Sequence, residues 1–264
     1  MGAEQWLRFV ARVAVLGAGV GIASLAGCAL NQNLAGPVRI APSPPAADAR
    51  PDANLAKQGK KLFDRTPKYA SPYVGNQLSC GNCHIDSGKA GYAAPMIGVA
   101  ALFPLFSQRA GRQITLQDRI DECFVRSEAG RPLPPESSQM QALVAYIQSL
   151  SMNRDHGRPY AKRGLVKLPA LKGNPDRGRI VYRQCALCHG SDGAGMPPVI
   201  PPLWGQGSFN DGAGMNQPAK MAAYVYTNMP QGSPGALTAQ QAYDVAAFIH
   251  QQPRPKFNPV YARF

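Results

Sequence analysis

Two pentapeptides, Cys80-Gly-Asn-Cys83-His84 and Cys185-Ala-Leu-Cys188-His189, share the pattern C-x-x-C-H. A pair of thiols at that spacing, with a histidine directly behind them, is the attachment pattern of covalent c-type haem. The thiols form thioethers with the porphyrin vinyl groups, and the histidine becomes the proximal iron ligand. Six cysteines in an exported chain first suggest disulfides, but this spacing assigns four of them to haem. A thioredoxin-like reading would need a βαβ setting and has no use for the histidine. Cys28 has a separate use at the N-terminus. That leaves one thiol, Cys123, in "DRIDECFVRS".

A c-type iron held by histidine usually takes methionine on its other face. In the second half, Met229-Pro230 lies 40 residues after His189, and Met followed by Pro is the usual distal signature of class I cytochromes c. Met196, Met215 and Met221 are competitors. Met196 follows the haem motif closely, and Met221 reads as helix core. Counting 39 residues on from His84 reaches Cys123. That half has no Met-Pro; Met96 lies close behind His84, and Met140 reads as core. A buried structural thiol is the commoner fate of a free cysteine. The matching offset favours Cys123 as distal ligand instead. A thiolate stabilises ferric haem and is also a nucleophile suited to sulfur–sulfur exchange.

Thr115-Leu116-Gln117-Asp118 reads as a capping box that starts a helix. On it Arg119, Cys123 and Ser127 stand at i, i+4 and i+8, with Arg126 three beyond the cysteine, so these side chains are expected on one face. Arg109 and Arg112 lie upstream and Arg131 downstream. The plainer expectation pairs the arginines with Asp118, Asp121, Glu122 and Glu128, or with haem propionates. The sharper one is a planar multi-donor clamp for a small oxyanion, to which Ser127 adds a hydrogen bond.

The elements that must position these residues form an internal repeat. Gly59-x-x-Leu62-Phe63 precedes the first motif and Gly178-x-x-Val181-Tyr182 the second, with a loop insertion around Thr66 to Gln77 in the first half. Each half closes on an amphipathic helix. Ser138 to Leu150 carries Met140, Leu143, Val144, Ile147 and Leu150. Thr238 to Gln251 carries Ala242, Val245, Ala246 and Ile249, with Thr238 and Gln241 as a capping box and Pro253 as the stop. Helix, C-x-x-C-H, distal-ligand loop and closing helix together resemble the class I cytochrome c domain. The expected fold is therefore mostly α, with two tandem domains at 52–152 and 174–264 joined by a linker at 153–173. Each haem serves as part of its domain's core, so domains this small need no disulfides. His156 and His250 read as surface residues.

The N-terminus reads as a targeting segment. Arg8 and Arg12 precede the apolar stretch Val13 to Ala26, which is short for a bilayer span. Leu25-Ala26-Gly27-Cys28 resembles the bacterial lipoprotein box, so residues 1–27 are expected to leave as a signal peptide and Cys28 to be lipidated. Residues 28–51, rich in Pro and Ala, read as a flexible tether. The expected location is the periplasmic side of a bacterial membrane. The net charge of +13 favours anionic substrates, acidic partners or anionic surfaces. Nucleic acid is not expected, because no basic run with interleaved aromatics occurs.

The segments "SCGNCH", "GVAALFPLFSQRAGRQITLQDRIDECFVRSEAGRPLP" and "NMPQGSP…AYDVAAFI…QPRP" resemble the dihaem thiosulfate dehydrogenases that form tetrathionate. The resemblance implies that His84 and Cys123 ligate an active-site haem, with Arg109, Arg119 and Ser127 at the substrate. It implies that a second haem, held by His189 and Met229, relays electrons to a small cytochrome c or a high-potential iron–sulfur protein. It also implies that Cys123 can leave the iron and carry a transient sulfur adduct. Some members have a lysine just before the distal methionine; here that place is Asn228, so only Met229 is carried over. Tetrathionate reduction is the same reaction reversed. The alternative is a non-catalytic dihaem carrier in which Cys123 only lowers a potential. A dihaem peroxidase would want an open distal position, which a thiolate ligand denies.

Overall fold

The computed structural model describes residues 50–151 and 160–264. The signal segment, Cys28, the tether up to residue 49, residues 152–159 of the linker region and His156 lie outside the described residues. In the first half α1 (Ala53–Asp64), α2 (Thr66–Tyr69), α3 (Cys80–Cys83) and α4 (Ile85–Gly88) lead to a hairpin of β1 (Leu105–Ser107) and β2 (Arg112–Ile114). The half ends with α5 (Leu116–Arg126) and α6 (Ser138–Ser149), and the second half follows as α7 (Pro175–His189), α8 (Pro218–Asn228) and α9 (Ala239–His250). The fold is mostly helical, with two cytochrome c domains in tandem.

Local chemistry starts the helices where the sequence signals them. Asp52 accepts from the Asn54 and Leu55 N–H groups at the head of α1. Thr115–Asp118 and Thr238–Gln241 form reciprocal capping boxes on α5 and α9. Each closes two donors that the first helical turn cannot satisfy itself.

The repeat appears as a matched helix crossing. α1 buries Gly59, Leu62 and Phe63 against α6, and α7 buries Gly178 and Tyr182 against α9. A Cβ on Gly59 would stand 1.9 Å from the Ala142 carbonyl oxygen, and one on Gly178 would stand 1.9 Å from that of Asp244. Only glycine lets the backbones approach so closely. One turn on, Phe63 meets Tyr146 with centroids 5.4 Å apart, and Tyr182 meets Phe248 at 5.2 Å. The inserted segment in the first half holds α2, so its haem motif sits on the separate α3. In the second half α7 runs unbroken through Cys185, Cys188 and His189.

The halves are stitched together by side chains bonded to backbone carbonyls. Asn76 Nδ2 donates to the Ser208 carbonyl at 3.0 Å, and Asn210 Nδ2 to that of Val125 at 2.8 Å. Tyr224 Oη and Asn228 Nδ2 on α8 each reach a first-half carbonyl, Asn82 and Tyr92, at 3.2 Å. Leu78, from the first half, packs into the second core. Among the described residues no helix is long and apolar enough to cross a membrane.

Candidate functional site

Two cavities lie within the described body. The first, about 310 Å³, is lined by Cys80, Cys83 and His84 together with Arg119, Cys123 and Ser127. The second, about 460 Å³, is lined by Cys185, Cys188 and His189 together with Met215, Met221 and Met229. Leu78 and Cys83 wall both cavities. All five cysteines among the described residues are free thiols.

Both histidines are oriented the same way. His84 Nδ1 lies 2.6 Å from the Ala94 carbonyl, and His189 Nδ1 lies 2.9 Å from the Pro201 carbonyl. A carbonyl only accepts, so Nδ1 carries the proton and Nε2 is left with its lone pair. That is the arrangement a metal-ligating imidazole needs. Burial first, and Arg119 after it, drive the His84 pKa down to about 4 against the Ala94 bond. The ring is therefore neutral. These two carbonyls were missed in the sequence. Their shared signal is that each immediately precedes a proline, Pro95 or Pro202.

The helix α5 presents Arg119, Cys123 and Ser127 to the first cavity, as the i, i+4, i+8 spacing requires. Burial pushes the Cys123 thiol up, while Arg119 pulls it down, Glu122 and Glu128 raise it, and Arg109 lowers it again. Arg109 is exposed in the turn between β1 and β2, within electrostatic reach of the thiol. Arg126 departs from the expected face. It is buried, its guanidinium donates to the Phe264 and Gly212 carbonyls, and it covers the Phe257 ring at 4.0 Å. A tertiary partner in the second half outweighs its place on the helical wheel.

The expected ion pairs separate likewise. Arg112 pairs with Asp118 at 3.0 Å, and Arg119 with Glu122. Asp121 instead accepts from the Leu133 N–H, and Arg131 donates to the Pro72 carbonyl. Among the described residues Glu128 has no arginine partner. It is 2% exposed, faces Cys80 Sγ at 3.9 Å, and its Oε2 has no partner. Burial holds its carboxyl well above the usual range.

In the second cavity Met229 follows the last residue of α8, and Met221 is core on the same helix while still reaching the cavity wall. Met196 is 60% exposed and is not among the wall residues. Asn228 spends its amide on the Tyr92 and Tyr224 carbonyls. Met96 lines the first cavity, but it packs on Gly88 and its N–H bonds the Gly88 carbonyl, beside the segment that carries His84. His250 is half-buried rather than at the surface, with Nε2 2.9 Å from the Met215 carbonyl. α9 carries it inward at its last turn.

Residues 59–155 match the family model "SoxA/TsdA, cytochrome c domain", and residues 175–253 match "Cytochrome c". The thiosulfate dehydrogenase of Allochromatium vinosum is 38% identical over 236 residues, covering 84% of this chain and 87% of the relative. That of Thiomonas intermedia is 38% identical over 224 residues, covering 81% and 71%. The chain belongs to the thiosulfate dehydrogenase family. A solved structure of that family, thiosulfate dehydrogenase (TsdBA) from Marichromatium purpuratum in its "as isolated" form, superposes with a TM-score of 0.73 at 34% identity. The match covers 80% of this chain and 49% of that one, so the chain spans about half the solved protein's length.

Like its family, the chain carries two cytochrome c domains, each of which binds one covalent haem c. The residues present fit that group. Each cavity is lined by both thiols of its own C-x-x-C-H motif and by an imidazole whose Nε2 is unengaged. The first also offers a buried donor, Arg163 Nε, that finds no acceptor among the described residues. A propionate would supply one. Arg163 comes from the segment after the first half, where the Lys162 and Gly164 carbonyls accept from the Tyr92 and Ala94 N–H groups. In the sequence that segment falls within the expected linker at 153–173.

Proposed function

We propose that this protein is a thiosulfate dehydrogenase. Two thiosulfate dianions lose one electron each and join through a new sulfur–sulfur bond as tetrathionate, and the two electrons leave for an external carrier. One observation carries the reading: Cys123, Arg119 and Ser127 open on the same cavity as Cys80, Cys83 and His84. The relatives' names agree with it.

In this reading His84 and Cys123 hold the first iron, and His189 and Met229 hold the second. The haems, when bound, supply one-electron acceptors. Arg119 and Arg109 hold the sulfonate oxygens and reduce the repulsion between two dianions, which is a large part of the barrier. Ser127 adds a hydrogen bond and fixes orientation. A covalent route through Cys123 also balances: the thiolate and one thiosulfate lose two electrons as a sulfur–sulfur bond forms. A second thiosulfate then displaces the thiolate as tetrathionate leaves.

The shared wall of Leu78 and Cys83 suits the second haem as relay to a small cytochrome c or a high-potential iron–sulfur protein. The two cytochrome c domains fit a location outside the cytoplasm. Removal of residues 1–27, lipidation at Cys28, a tether at 28–51 and haem domains at 52–152 and 174–264 complete the proposed organisation, facing the periplasm. Tetrathionate reduction uses the same site when the partner's potential reverses the driving force.

Purified holoprotein given thiosulfate and ferricyanide tests this. Wild type should consume thiosulfate. Cys123→Gly should retain both haems and lose at least about a hundredfold in rate. No consumption by wild type, or full rate in Cys123→Gly, leaves a dihaem electron carrier.

A further inference from the structure

The face of α8 that meets the first domain continues one turn beyond its hydrogen bonds. Tyr224 and Asn228 stand four residues apart and both bond first-half carbonyls. Lys220 is four residues before Tyr224, on the same face. It is exposed, in the first turn of α8. Its ammonium is held below the usual lysine range, first by partial burial, then by Arg109 and Arg119, with Glu122 opposing. Lys220 thus continues the face of α8 whose Tyr224 and Asn228 meet the first domain, and the two arginines of the proposed sulfur site act on its ammonium from across the seam. Glu122, the carboxylate that opposes this shift, is already paired with Arg119. Arg109, Arg119 and Lys220 thus form a cluster of like charge that a polyanion would relieve.

We propose that Lys220 is a substrate-binding residue lent by the second domain, which receives the second thiosulfate dianion at the mouth of the first cavity. The inference rests on the thiosulfate-coupling reading above. Arg119 and Ser127 lie on the cavity wall with Cys123 and suit the first dianion. The second must approach from solvent, where Arg109 and Lys220 are exposed. Each brings a positive charge that offsets repulsion from the anion already bound. The substrate site then spans both domains, and neither domain alone holds two dianions.

The test uses full-length holoprotein with ferricyanide as oxidant and thiosulfate as the varied substrate. Lys220→Ala should raise the half-saturating thiosulfate concentration by about 3- to 10-fold, as expected for one cation facing a dianion at an exposed site. Turnover at saturation should stay within about twofold, the pattern of lost binding rather than lost chemistry. Lys220→Arg should restore most of the affinity, and added salt should slow Lys220→Ala less than wild type. The first haem's electron paramagnetic resonance signal should be the same in all three proteins. Saturation of Lys220→Ala at the wild-type concentration overturns the inference while the dehydrogenase reading stands. Failure of Lys220→Arg to restore affinity also overturns it. Wild type inert towards thiosulfate removes both.

Discussion

Cys123 and Arg119 sit one helical turn apart on α5, and burial and charge pull the thiol in opposite directions. Burial alone favours the neutral thiol; the guanidinium favours the thiolate that a metal ligand or nucleophile must be. Arg119 itself is held by Glu122, which leaves part of its donor fork for an anion. Arg119→Ala should therefore lower kcat/KM for thiosulfate by about 10²- to 10³-fold, the usual loss for removing one fixed oxyanion donor. Arg119→Lys should recover only part, because an ammonium lacks the planar fork. Initial-rate kinetics check both. The spacing of Arg119, Cys123 and Ser127 was legible because a helix fixes it. The fate of Arg126 was not, because its partners Gly212, Phe257 and Phe264 are remote in sequence.

The helix pairs that frame the haem sites depend on two glycines. At Gly178 alanine would gain about 1 kcal/mol of helix propensity. Its Cβ would also overlap the Asp244 carbonyl, which forces α7 and α9 apart. Overpacking of this kind costs more than the propensity gain, so Gly178→Ala should destabilise by about 2 kcal/mol net. Its Tm should fall by roughly 4–8 °C in a calorimetric scan of the holoprotein. An unchanged Tm would mean that the crossing is not close. Both glycines stood out in the sequence repeat, but the residues they touch, Ala142 and Asp244, did not. Hydrophobic periodicity identifies a buried face without saying which turn of the partner it meets.

Across the whole molecule the seam makes two domains act as one body. Arg126 contributes two charge-assisted bonds to carbonyls and a cation–π contact across it. Wild-type holoprotein should unfold in a single calorimetric transition. In Arg126→Ala the lower-melting half should separate from the other, giving two. A single transition in the variant would place the coupling elsewhere, with Asn76, Asn210 and Tyr224 the next candidates. The reading of two cytochrome domains joined by a linker contained no such seam. Its bonds pair asparagines, a tyrosine and an arginine with backbone carbonyls, groups that carry no sequence pattern of their own.

The amino-acid order by itself determined the haem motifs, the helix caps, the repeat and the offset that singled out Cys123. Each follows from covalent spacing or from the helical period, and both act over a few residues. Only the tertiary structure decided which carbonyls orient the two histidines, that Glu128 faces Cys80 rather than an arginine, and that Arg126 belongs to the seam. It also set Lys220 within electrostatic reach of Arg109 and Arg119. Those outcomes turn on which backbone comes within hydrogen-bond or Coulombic reach once the helices pack, a distance that chain separation does not encode.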